Sequence, residues 1–401
     1  MKCRMLALLA LMLVGLQAWA VTETTIHTFA GGAYSEYPNS GLVFDSSGNA
    51  YGTASGGGAG YGTIYELTPS QSGWIANILY EFDGVSGAYP SDPLIIDAAG
   101  NLYGAASYGG NMSGICQGSG CGTVFELQRV SGGWHFVVLY TFSGDADGAH
   151  PNSIIFDKLG NLFGTTWGGA GSSGYGTVFE LSLSSGGWTE STVYTFAGNN
   201  DGANPVSGLT LGGAGIFYGT TLFGGANNCG ANHCGTVYKL RKTNSGWKET
   251  VLHSFKGSDG SSPMARPLLR HGTLYGTTST GGASNQGTAF SLIQRNHSFI
   301  EIVLCNFKGT NGTSPVSGMV PDSAGNLYGT TVYGGSNGYG VIFVLRNSKG
   351  KWQESVVHDF AGTLDGSQPL GTPTFHAGAL FGTTNGGGEW DAGVAWELTW
   401  R

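Results

Sequence analysis

The sequence predicts an all-β protein, a seven-bladed β-propeller with four antiparallel strands per blade. Three observations carry the prediction. One unit of about 55 residues recurs seven times. Glycine and aromatic residues are both abundant, as a chain of short strands and tight turns requires. The two ends of the chain carry complementary fragments of one repeat.

Four anchors define the unit. The first resembles Leu-Tyr-Gly-Thr, with its aromatic at Tyr51, Tyr103, Phe163, Tyr218, Tyr275, Tyr328 and Phe381. The gaps are 52, 60, 55, 57, 53 and 53 residues. The second resembles Gly-Thr-Val-Phe-Glu-Leu and begins at Gly62, Gly122, Gly176, Gly235, Gly287, Gly340 and Gly393. The third resembles Leu-Tyr-Thr-Phe and ends at Phe29, Phe82, Phe142, Phe196, Phe255, Phe307 and Phe360. The fourth is a proline after a Gly-rich turn: Pro38, Pro90, Pro151, Pro205, Pro263, Pro315 and Pro369.

Alternation and turn residues divide each unit into strands. Strand A is the short apolar run after the proline, as in Ser40–Asp45 and Ser153–Asp157. A Gly-Asn turn follows, at Gly48-Asn49 and Gly325-Asn326, where positive φ is needed. Strand B is the Tyr-Gly-Thr-Thr segment and strand C the Gly-Thr-Val-Phe-Glu-Leu segment. Strand D runs from a Trp to the third anchor, as in Trp188–Phe196. The first Phe anchor has no strands A, B or C before it, and the last repeat has no strand D after it. A ring sealed by residues near Thr25–Phe29 pairing with Val394–Leu398 leaves no open edge.

Composition agrees and excludes several function classes. The chain has 401 residues, with 73 Gly, 40% hydrophobic and only 10% charged residues, which is neither a collagen pattern nor a disordered one. A net charge of -8 and no basic cluster after residue 20 argue against binding nucleic acid or an anionic membrane surface. Residues 1–20 read as a signal peptide: Lys2 and Arg4, an apolar run from Leu6 to Leu16, and Ala18-Trp19-Ala20 as the cleavage site. The expected domains are that signal and a propeller over 21–401, secreted or held in the cell envelope, with no membrane span after cleavage, as a monomer.

The pattern Asp-x-x-Gly-Asn-Leu-Tyr-Gly-Thr-Thr, then Gly-Gly, then Gly-Thr-Val-Phe-Glu-Leu resembles the GloVer (Gloeo/Verruco) tandem repeat of bacterial exported proteins. The clearest copy runs from Asp322 to Thr331, followed by Gly334-Gly335. Repeat five departs, with Arg270-His271-Gly272-Thr273 at the hairpin and no Trp opening strand D. The resemblance covers residues 21–401 and implies export and a repeat fold. It brings no catalytic motif.

Candidate sites lie on loops. In a four-stranded antiparallel blade the D-to-A and B-to-C loops share one end, and here they are the variable pair. The B-to-C loops carry aromatics beside Gly-Gly pairs at matching places: Tyr108, Trp167, Phe223, Tyr333 and Trp390. A face of aromatics with few charges suits stacking on sugar rings or a surface protein partner. The same residues could instead plug the channel mouth. Cys116 with Cys121, and Cys229 with Cys234, are local pairs in equivalent loops, expected as disulfides in an exported chain. Zinc through His233 needs ligands that these two loops do not bring together. Cys305 is left over as a buried thiol. The Asp and Asn residues of the D-to-A loops, such as Asp145, Asp147, Asp201 and Asp365, lack a full calcium-loop pattern. No metal and no cofactor are expected.

Mid-strand Glu66, Glu126, Glu180 and Glu397 could bond to an adjacent blade, and the strand-D Trp residues read as packing. Catalysis finds little support. No Gly-x-Ser-x-Gly, His-Glu-x-x-His or phosphate loop occurs. The carboxylates available to a glycan-cleaving hydrolase or lyase are Glu36, Asp92, Glu389 and Asp391. The expected function is therefore a carbohydrate- or partner-binding module. A glycan-cleaving enzyme and a structural or adhesive surface protein are the alternatives.

Overall fold

The computed structural model describes residues 21–169, 174–227, 229, 234–296 and 298–400. The expected signal peptide and His233 lie outside them. The described chain forms seven four-stranded antiparallel sheets. Blade one comprises Val43–Phe44, Ala50–Ala54, Thr63–Ser70 and Gly73–Glu81 as strands A to D. Blades two to six repeat the pattern, with D strands Gly133–Thr141, Gly187–Thr195, Gly246–Ser254, Ser298–Asn306 and Lys351–Asp359.

Blade seven takes strands A to C from the C-terminus, at Thr374–His376, Ala379–Thr384 and Val394–Trp400, and strand D from Val21–Thr28. The closing ladder runs from Val21 opposite Trp400 to Thr28 opposite Val394, with a bulge between Thr25 and His27. The closure expected from the sequence is present, and strand C extends two residues beyond Leu398.

Each anchor has a packing reason. The strand-B glycine lies face-on to the strand-C ring: a Cβ on Gly104 would meet Phe125 at 2.5 Å, and one on Gly329 would meet Phe343 at 2.6 Å. The strand-C glycine has positive φ and touches the proline of the next blade. A Cβ on Gly62 (φ +97) would lie 2.7 Å from Pro90 Cδ, and one on Gly340 (φ +101) 2.8 Å from Pro369 Cδ. Two anchors about 28 residues apart are thus one contact across a blade seam. The third-anchor phenylalanines are fully buried. The turn aspartate explains Asp-x-x-Gly-Asn: Asp45 Oδ1 accepts from the backbone N–H of Ser47 and Asn49, each at 2.9 Å.

Threonines stitch the blades together. Thr165 Oγ1 donates to Ser207 O at 2.8 Å, and Thr277 Oγ1 to Ser317 O at 2.8 Å, strand B to the segment leading into the next blade's strand A. Blade two has Ala105 at this position, and there the Asp92 carboxylate accepts from the Ser153 backbone.

Strand-D Trp residues pack on the strand-B aromatic of the preceding blade, as in Trp134 on Tyr51 at 5.9 Å and Trp352 on Tyr275 at 5.8 Å. The mid-strand glutamates correct an expectation. Glu66 accepts from Tyr51 Oη at 3.0 Å, and Glu126 from Tyr103 Oη at 2.7 Å, within their own blades. The reason is register: Tyr51 stands directly opposite Glu66, so the near partner is cross-strand.

Candidate functional site

Strand A lines the ring's centre. A cavity of about 310 Å³ is bounded by strand-A and adjoining residues of five blades, among them Ile155, Thr210, Leu268, Val320 and Thr372. Arg266 reaches into this channel, and desolvation lowers its pKa. Asp92 lies within electrostatic reach of Arg266: burial pushes the carboxyl up to about 7, against the pull of Arg266 and the Ser153 hydrogen bond. Of the other carboxylates considered for glycan cleavage, Glu36 accepts from Gly32 N at 3.3 Å and Asp391 from Gly387 N at 2.8 Å. Both therefore hold loop backbone. Glu389 is exposed.

The D-to-A and B-to-C loops do meet at one end, through bridges such as Ala88 with Tyr108, Ala203 with Phe223 and Thr313 with Tyr333. The five sequence-selected aromatics do not share one slot. Tyr108, Phe223 and Tyr333 occupy the bridging position. Gly168 occupies it in blade three, opposite Ala149, so Trp167 stands one residue earlier on the other side of the strand. Gly386 occupies it in blade seven, and Trp390 lies further along the loop. Trp167, Tyr333 and Trp390 are exposed, at 41%, 49% and 61%, whereas Tyr108 and Phe223 are half-buried.

A second set of residues completes this face. All seven residues preceding the anchor prolines have positive φ, from 53° to 58°. They are Tyr37, Tyr89, His150, Asn204, Ser262, Ser314 and Gln368. Their N–H groups are held by the preceding blade's B-to-C loop: Tyr89 N bonds Tyr61 O at 2.8 Å, and His150 N bonds Cys121 O at 2.8 Å. This seam bond fixes a backbone conformation that non-glycine residues seldom adopt.

The side chains so displayed join the loop aromatics into a chain of rings. Tyr61 to Tyr89 is 6.5 Å between centroids, Tyr89 to Tyr108 5.7 Å, Tyr108 to His150 4.6 Å and His150 to Trp167 5.9 Å. The strip crosses blades one to three. Hydrogen bonds between His150 Nδ1 and Ser107 O, and from Asn204 Nδ2 to Trp167 O, both 2.9 Å, secure its far end. Sequence reasoning missed Tyr61, Tyr89 and His150. Aligning the repeats on the proline would have found the last two.

The disulfides are present as expected, Cys116 to Cys121 and Cys229 to Cys234, with Cα separations of 5.3 and 5.4 Å. They occupy the slot filled by Tyr61, Tyr175 and Tyr339 in other blades. Tyr61 covers Gly84, 3.0 Å from the position of a Cβ, and Cys116 covers Gly144 at 2.9 Å in the same sense. A disulfide thus replaces a tyrosine as the lid over a seam glycine. Cys305 is free and half-buried, and burial, with Glu354 nearby, pushes its thiol up to about 12.

Two further features lie elsewhere. A cavity of about 930 Å³ sits at the opposite end of the ring, between blades six and seven, walled by Tyr328, Phe375 and Trp400. At the outer rim, D-to-A loop acids face glutamates of the next D strand: Asp147 with Glu190, Asp201 with Glu249, Asp259 with Glu301 and Asp365 with Glu23. Burial foremost raises each glutamate to about 7. Among the described residues no helix is long and apolar enough to cross a membrane.

The Gloeobacter/Verrucomicrobia repeat profile matches residues 15–233 and 228–401. No curated protein matches the chain.

Proposed function

The chain belongs to the Gloeobacter/Verrucomicrobia repeat family, a β-propeller that fits a binding or structural module, and we propose that it is an extracytoplasmic carbohydrate-binding module. The ring strip from Tyr61 to Trp167 carries the reading. Aromatic faces at the surface lose little solvation on stacking against the apolar faces of sugars, and phenol and imidazole edges offer hydrogen bonds to hydroxyls. The strip's backbone is fixed by seam bonds, so little ordering cost accompanies binding. Two local disulfides in the loops of the same face support a setting outside the cytoplasm.

A glycan array followed by affinity electrophoresis in soluble polysaccharides tests this. Trp167→Ala and Tyr89→Ala are each expected to weaken binding about ten-fold or more. Tyr333→Ala, outside the strip, should change it little. Absence of any glycan bound by the wild type, or equal affinity in all three variants, rejects the reading in favour of a structural or protein-binding role.

A further inference from the structure

We propose that His253, Asp259 and Glu301, at the outer rim between blades four and five, form a binding site for one divalent transition-metal ion of the zinc class. His253 comes from strand D of blade four, Asp259 from the loop that follows, and Glu301 from strand D of blade five. One imidazole nitrogen and one oxygen from each carboxylate lie within 4.8 Å of one another. Around a tetrahedral ion with bonds of about 2.1 Å, such atoms stand roughly 3.4 Å apart, so small side-chain rotations close the set.

The ligands are held in place. Asp259 is buried, and its Oδ1 accepts from Lys256 N at 2.9 Å. Its Oδ2 stands 3.1 Å from His253 Nε2. A backbone bond behind a ligating carboxylate is the support that metal sites use. Glu301 Oε1 is buried and has no hydrogen-bond partner. Burying an oxygen acceptor without a partner is costly, and a cation relieves the cost.

The donor set decides the class of ion. Two carboxylates offset a divalent charge, and a neutral imidazole nitrogen favours zinc-like ions over calcium, which takes six to eight oxygens. Three protein ligands leave one position for water, on the solvent side where His253 and Glu301 are half-buried.

The neighbouring seam supplies a natural comparison. There Tyr194 takes the place of His253, and its hydroxyl donates to Asp201 Oδ2 at 3.0 Å. Glu249 Oε1 is also buried without a partner at that seam. A proton shared between the carboxyls suffices where no third ligand exists. The seam between blades six and seven does have an imidazole, with His358 Nε2 3.2 Å from Asp365 Oδ2 and Glu23 Oε1 buried without a partner, but among the described residues only His253, Asp259 and Glu301 bring their ligand atoms within 4.8 Å of one another. That gathering makes the difference, and a shared proton alone is the competing account of the His253 seam.

The test is isothermal titration of the purified, oxidised, chelator-treated protein with Zn²⁺ near neutral pH. Co²⁺ absorption in the visible range reports the ligand geometry. We expect one ion per chain with micromolar or tighter affinity. His253→Tyr, which installs the side chain of the Tyr194 seam and so preserves the fold, and Glu301→Gln should each weaken binding at least about ten-fold. His358→Tyr, which removes an imidazole from another seam, should leave it unchanged. Circular dichroism and the melting temperature verify that each variant is folded. No binding by the wild type, wild-type affinity in both site variants, or an equal loss in His358→Tyr overturns the assignment and leaves the shared proton as the account of this seam.

Discussion

Asn311 donates a 2.9 Å hydrogen bond from Nδ2 to Glu354 Oε2 across the seam between blades five and six. At four other seams an aspartate holds the position of Asn311 and still faces a glutamate. Between blades one and two both acids are gone together. Ser86 stands in the loop, and Phe136 stacks on Tyr80 at 3.8 Å. The paired change fits a carboxyl pair bridged by one proton, which an amide or an apolar stack replaces.

Stability should therefore fall as pH rises from about 4.5 to about 7. Burial, then Asp201, lifts Glu249 to about 7 from an ordinary 4.5, and burial, with Asp147 and against the Thr192 hydrogen bond, lifts Glu190 to about 7. Between those values the folded chain keeps protons that the unfolded chain releases. The stabilisation is complete below the unfolded pKa and is lost as pH passes the folded one. Hydrogen bonds hold Asp45 and Asp83 below the carboxylate range, so their opposite effect falls at lower pH, while burial lowers the pKa of His27 and His358, whose opposite effect within the window is common to the wild type and the Glu249 variant. Urea midpoints across this window should decline in the wild type and decline less in Glu249→Gln. Identical slopes would count against the shared proton.

Gly329→Ala tests the strand-B glycine. Its Cβ would meet the ring of Phe343 at 2.6 Å inside a fully buried layer. The loss should be about 1–3 kcal/mol in urea unfolding, as for other overpacked cores. Pairing it with Phe343→Leu should recover part of that loss, because the substitution frees the space the methyl needs.

The fold was legible because its anchors are contacts that repeat at near-constant spacing. Gly62 needs Pro90, and Gly340 needs Pro369, so both residues of each pair recur together. The ends were legible for the same reason, since Phe29 belongs to the series yet lacks the strands before it. The site was less so. Tyr61 and Tyr89 meet only once two blades are docked, and nothing in local alternation marks the positive φ of Tyr89 or His150. The period-two pleat separates Trp167 from Tyr108 by one residue, a shift that similar loop composition conceals. Glu301 belongs to a different blade from Asp259, so inspection of loop acids alone could not complete that group.

Trp134 and Trp390 should behave oppositely. Trp134 packs on Tyr51 and carries Arg129 over its ring at 5.5 Å. Trp134→Ala is expected to cost about 3 kcal/mol. Trp390, 61% exposed, should change stability by less than about 0.5 kcal/mol when replaced by Ala. Thermal and urea unfolding of the two variants distinguish packing from display.

The disulfides should contribute modestly, because each closes a short loop. Cys116→Ser with Cys121→Ser is expected to cost about 2 kcal/mol. Intact mass of the non-reduced protein processed after residue 20 should correspond to two disulfides and one free thiol. Cys305, with its thiol pushed up to about 12, should resist a thiol reagent until the protein unfolds. Rapid native labelling would contradict this burial.

The cavity between blades six and seven has a definite origin in the repeat. Every other D strand places Trp, or Phe299 in blade five, eight residues before its anchor phenylalanine, and blade seven places Val21 there. The ring that should cover Tyr328 is missing. Trp400 enters from the end of strand C instead, 5.5 Å from Tyr328 and stacked on Phe375 at 5.8 Å. A volume of about 930 Å³ remains around these rings. In a chain of residues 21–401 expressed behind an initiating Met, Val21→Trp should refill the seam and raise stability by about 0.5–2 kcal/mol, the usual yield of cavity filling. Trp400→Ala should have the reverse effect, enlarging the cavity and exposing Tyr328. If Val21→Trp destabilises the chain while Trp400→Ala is neutral, the cleft is not the space left by a missing tryptophan.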